Sequence, residues 1–125
     1  MKIVFLACIS LLLLEFYTFI DFGGAIRSVN GKWEVYNNKT HISYNLGKVT
    51  QNNYAIRVEY VKPIKTIQWS SVTAHRRLTV LGIVCGASVD TKYIEITCIK
   101  DGHVINPSDI KDTAYIWINV RGIQI

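Results

Sequence analysis

In Tyr54-Ala55-Ile56-Arg57-Val58-Glu59-Tyr60, large apolar residues fall at every second place, with Arg57 and Glu59 between them. An extended strand sends successive side chains to opposite faces, so it can bury the first set and solvate the second, whereas a helix would scatter both. Similar short runs rich in β-branched and aromatic residues occur at Lys32 to Tyr36, Thr40 to Tyr44, Ile64 to Trp69, Leu78 to Cys85, Tyr93 to Ile99 and Ala114 to Val120. Turn chemistry separates them. Asp101-Gly102 suits a two-residue hairpin, Lys62-Pro63 ends a strand, and Asn106-Pro107-Ser108-Asp109 suits a loop holding one helical turn. Further bends are expected at Leu46-Gly47 and from Gly86 to Thr91. With no amphipathic helix of useful length to serve as a crossover, a parallel sheet is disfavoured. The expectation is an all-β chain, a small antiparallel β-sandwich or barrel of about seven strands.

Upstream of these runs the composition changes. Lys2 is followed by an uncharged, largely apolar segment from Ile3 to Leu14, and Gly23 and Ala25 place small residues at the −3 and −1 positions of a cleavage site. That order is the pattern of an export signal, so residues 1–25 are expected to be removed and residues 26–125 to form a single secreted domain. The alternative is an uncleaved anchor, but Glu15 and Asp21 interrupt the apolar stretch and are costly inside a bilayer. No later segment is long and apolar enough to span a membrane after signal cleavage.

Export also decides the reading of the cysteines. Cys8 would leave with the signal, and Cys85 and Cys98 should then pair in an oxidising compartment, on neighbouring strands. Closing a loop of about 12 residues removes roughly 3 kcal/mol of unfolded-state entropy, a large share of a total stability of about 5 to 15 kcal/mol. Two buried free thiols are the alternative. Neither the cysteines nor His41, His75 and His103 show metal-ligand spacing, so no metal and no cofactor are expected.

The chain carries a formal charge of +5, which rises by one if Lys2, Glu15 and Asp21 depart together. Such a balance favours anionic partners, an acidic protein surface or a glycan, although no specific nucleic-acid motif is present. The one tight basic group is His75-Arg76-Arg77, expected on an exposed loop as a candidate contact; its bland alternative is a solvated loop that keeps the next apolar strand soluble. Asn38-Lys39-Thr40 is an acceptor sequon for glycosylation at Asn38, whereas proline excludes Asn106-Pro107-Ser108. Trp33, Trp69 and Trp117 lie in strand-like runs and are expected in the core. No serine has an elbow motif and no histidine is paired with a nucleophile, so no catalytic residue is assigned.

The order Lys32-Trp33, then strands without helices, then Tyr93-Ile94-Glu95-Ile96-Thr97-Cys98 and a closing strand resembles the small immunoglobulin-like accessory proteins of coronaviruses. The resemblance covers about half of the chain after Ile26, and this sequence departs from it in having two cysteines there where those proteins have several. The spacing of Cys85 and Cys98 is also too short for the inter-sheet bridge of an ordinary immunoglobulin domain. The small secreted β-sandwich effectors of plant-pathogenic fungi are similar in the same general way. The first resemblance implies an immunoglobulin-like sandwich, and either implies a secreted, non-enzymatic protein that binds a host protein and modulates host defence. The alternative class is a small secreted hydrolase or nuclease, suggested by the basic charge, the three histidines and Glu59.

Overall fold

A computed structural model describes residues 18–39, 42–111 and 113–124. It is an all-β sandwich of two antiparallel sheets, with nine strands among the described residues. The first sheet contains β1 (Thr18–Val29), β2 (Lys32–Tyr36), β5 (Thr66–Ala74) and β9 (Ala114–Gln124), in the order β2-β1-β9-β5. The second contains β3 (Leu46–Gln51), β4 (Ile56–Tyr60), β6 (Ile83–Val89) and β7 (Tyr93–Lys100), in the order β3-β4-β7-β6, and the short β8 (His103–Val104) pairs with the end of β7. Alternation determines what each strand buries. Ile56, Val58 and Tyr60 of β4, Ile94, Ile96 and Cys98 of β7, and Ile116, Ile118 and Val120 of β9 all enter one core, which Phe22, Ile26 and Leu78 complete.

The longest pairing joins the two ends of the described chain: β1 lies antiparallel to β9 from Thr18 opposite Gln124 to Ser28 opposite Ala114. The strand therefore begins upstream of Ile26, and the small residues read from sequence as a cleavage site lie within it. They have a role in the fold. A Cβ at Gly24, whose φ is +133°, would land on Ser43; the Ser43 hydroxyl there accepts from the Ala25 amide at 3.1 Å and donates to the Tyr36 carbonyl at 2.7 Å. Gly23 exchanges two backbone hydrogen bonds with Tyr44, which leads the chain across to β3 in the other sheet. Phe22 is fully buried between the sheets against the Tyr60 ring, 4.6 Å between centroids.

Several expectations change in detail. The run Leu78 to Cys85 is not one strand: it divides into a helical turn, α1 (Arg76–Val80), and the start of β6, because His75 caps the turn and Gly82 adopts a positive φ of 76° that ends it. Within Thr40 to Tyr44, the described part contributes only the isolated Tyr44 bridge. The β7–β8 turn at Asp101-Gly102 has both φ angles positive, 51° and 78°, as a primed hairpin requires, and the same chemistry at Asn30-Gly31 (53° and 82°) joins β1 to β2. Pro107–Asp109 forms the single helical turn anticipated, of 3-10 type. Its Pro107 carbonyl accepts from the buried Trp33 indole at 3.1 Å. Trp33 is thus a core residue, whereas Trp117 is half-buried and Trp69 is exposed, both on the first sheet.

Cys85 and Cys98 face each other directly across β6 and β7 and form a disulfide, with Cα atoms 4.0 Å apart. Replacing both by alanine is expected to lower unfolding stability by roughly 3 kcal/mol, read from chemical denaturation. A chain that starts at Thr18 is expected to unfold cooperatively, and one that starts at Ile26 to lose that cooperativity, because Phe22 and the first half of the β1–β9 ladder leave with the deleted segment. Phe22→Ala alone should cost about 3 to 5 kcal/mol.

Candidate interaction surfaces

The basic group lies on α1 and its cap, not on an irregular loop. His75 is extended at the N-cap, and its Nδ1 accepts from the Arg77 amide at 3.3 Å. Its ring meets Tyr115 edge-on at 5.5 Å. Leu78, fully buried, pins the turn to the core and leaves Arg76, Arg77, Val80 and Leu81 exposed around it. The two arginines differ from others in the structure. Arg27 pairs with Glu34 at 3.2 Å, Arg57 with Glu95 at 2.9 Å and Arg121 with Asp21 at 2.8 Å. Each of these guanidiniums also lies over a ring, of Tyr36, Tyr93 and Phe19 respectively. The carboxylate hydrogen bonds raise all three arginine pKa values, and the Arg121 bond holds the Asp21 carboxyl below its ordinary value. Among the described residues no carboxylate pairs with Arg76 or Arg77, so their charge remains available.

A second exposed feature, which the sequence reading missed, lies on the outer face of the second sheet. Val84, Ile99 and Val104 are in register across β6, β7 and β8 and are 72%, 42% and 49% exposed. Val80, at 75%, precedes them on α1. The period-two pattern of β7 could have flagged Ile99, an apolar residue on the face that Glu95 and Thr97 occupy, but the partners of Ile99 are set by register. On the outer face of the first sheet, Tyr36, Tyr115 and Trp117 form a half-buried aromatic row, with Tyr36 5.1 Å from Tyr115 and Tyr115 stacked on Trp117 at 5.8 Å.

The other candidates separate in space or in kind. His75 caps α1 on the way out of the first sheet, whereas His103 is exposed on the β7–β8 hairpin of the second; His41 lies outside the described residues. Glu59 is exposed on β4. Asn38 is exposed and its side-chain amide donates to the Tyr36 hydroxyl, while Thr40 of its sequon lies outside the described residues. No group of three or more histidine, cysteine or acidic residues placed to hold a metal occurs among the described residues, and none of their helices is long and apolar enough to cross a membrane. Comparison with protein-family models, with characterised proteins and with solved structures finds no match.

One buried polar atom stands out. Among the described residues the Tyr60 hydroxyl has no hydrogen-bond partner, and burial, reinforced by the Asp90 charge, pushes its pKa well above the ordinary phenol value. Leaving such a group unpaired costs about 1 to 3 kcal/mol, so Tyr60→Phe is expected to leave stability unchanged or raise it within that range. The folded state holds this proton more tightly than the unfolded state, so the wild type should also lose stability as pH rises above about 10, and the Tyr60 share of that loss should vanish in the phenylalanine variant. Denaturation curves at neutral and alkaline pH check both outcomes.

Proposed function

We propose that this chain is a secreted, non-enzymatic effector or accessory protein that binds a host protein and thereby modulates host defence. The observation that carries this reading is the α1 surface, where two arginines with no carboxylate partner among the described residues stand beside exposed Val80 and Leu81. Arginine next to exposed apolar side chains is the composition of a protein-binding patch: the apolar atoms supply buried area, and the guanidiniums supply charge-assisted hydrogen bonds to carboxylates. The partner that fits is a protein with an acidic rim, and the net charge of +5 would speed its approach. Export is supported by the uncharged, largely apolar segment from Ile3 to Leu14 that follows Lys2 and by the Cys85–Cys98 disulfide, a bond that persists in oxidising compartments.

The test is quantitative capture of host surface proteins on the immobilised chain, comparing wild type with the Arg76→Ala, Arg77→Ala double variant and with Val80→Asp. The double variant should weaken binding about tenfold or more and flatten its salt dependence, with the melting temperature unchanged. Equal binding by all three proteins would remove α1 from the reading. Turnover that disappears on replacing His41, His75 and His103 together, with the fold intact, would instead favour a hydrolase or nuclease.

A further inference from the structure

The four outer strands of the two sheets differ in how their free edges are protected. Along β2, Gln51 of β3 accepts from the Trp33 amide at 2.9 Å and donates to the Gly31 carbonyl at 2.8 Å, which closes that side. The register of β3 breaks between Leu46 and Val49, with Lys48 at the break, and that of β5 breaks between Ile67 and Trp69. Bulges and edge lysines are the devices that keep a sheet from accepting another strand. β6 has none of them. Ile83-Val84-Cys85-Gly86-Ala87-Ser88-Val89 carries no charge and no proline, and it pairs with β7 without interruption.

The disulfide shows which backbone groups β6 leaves over. In an antiparallel pair the closer Cα positions are the ones that do not exchange hydrogen bonds, and Cys85 and Cys98 are 4.0 Å apart. The peptide groups of Val84, Gly86 and Ser88 therefore face β7, and those of Ile83, Cys85, Ala87 and Val89 face the free edge. β5 runs nearby, but no backbone hydrogen bond joins it to β6 among the described residues. Ala87, on the inner face of the sheet, is exposed all the same, so β5 does not close over this edge.

We infer that β6 is a self-pairing edge, through which two copies of this chain join antiparallel about a two-fold axis at Gly86. In that register Cys85 meets Ala87 of the second copy, and the outward-facing peptide groups of these residues bond each other on both sides of the axis, while Ile83, buried in the core, marks where the open edge ends. Gly86 meets Gly86 at a close, non-hydrogen-bonded position, where the absence of side chains leaves both backbones room to approach. No charge opposes another anywhere in the register, which matters for two copies of a basic chain. A second copy fits this edge better than an acidic partner does, because the edge offers such a partner nothing to attract it. Self-complementarity of this kind is what an isologous two-fold contact requires.

Position 86 is also where the idea can be tested without harming the monomer, since a Cβ built there meets no atom within 4 Å. Sedimentation equilibrium on the disulfide-intact full chain at about 100 µM, where micromolar dimers are well populated, should give a dimer. Gly86→Lys and Gly86→Glu should each give monomers, because like charges then face each other across the axis. Mixing the two variants should restore a dimer that contains one chain of each. Ala87→Pro, which deletes one outward amide and none that faces β7, should also give a monomer, with thermal unfolding showing that the fold survives. A monomeric wild type overturns the proposal, as does a dimer that Gly86→Lys leaves intact. Failure of the mixed variants to associate would overturn the register with Gly86 on the axis, and an acidic host protein competing for the β6 edge would overturn the choice of a second copy.

Discussion

The antiparallel ladder between β1 and β9 is the constraint on which the other elements depend. It sets the middle of the first sheet, leaving β2 to add on one side through the Asn30-Gly31 turn and β5 on the other. It also aims Phe22 and Ile26 from one strand and Ile116, Ile118 and Val120 from the other at the same core, opposite Ile56, Val58, Ile94 and Ile96. Backbone hydrogen bonds fix the spacing of these side chains, and apolar burial then supplies the larger favourable term. The second sheet is held differently, by a covalent link between two of its strands and by shorter ladders.

Charge is distributed unevenly over this framework. Three arginines are tied to carboxylates on the adjoining strand and rest on aromatic rings, so they brace the sheet faces and attract little else. Among the described residues the pair on α1 has no such role. Two arginines in sequence, on a turn anchored by one buried leucine, are positioned by the fold without being consumed by it. That distinction between structural and available charge gives the α1 surface more weight than the net charge of the whole chain.

Much of the architecture was legible because period-two alternation is a strong local signal. β2, β4, β7 and β9 stand where the pattern put them, and the Cys85–Cys98 bridge follows from counting two cysteines on adjacent strands. β1 was hidden by competition between readings. Its apolar residues continue a run that looks like an export signal, and its small residues look like a cleavage site, although Asn30-Gly31 marks a hairpin that needs a strand before it. Leu78 to Cys85 misled because a buried leucine on a one-turn helix has the same local composition as a strand residue. The joining of Val84, Ile99 and Val104 into one row and the open edge of β6 could not be read from the sequence, since both depend on which strands become neighbours.

The pairing of β1 with β9 also determines how the protein answers force. Thr18 and Gln124 lie opposite each other at one end of the ladder, so tension applied at those two residues peels the strands apart crosswise. Interstrand hydrogen bonds run perpendicular to the strands, and in this geometry they rupture one after another instead of sharing the load in shear. A fold whose first and last described strands pair in this way is mechanically soft when pulled at Thr18 and Gln124, whereas the loop between Cys85 and Cys98 cannot be drawn out while its bridge is intact.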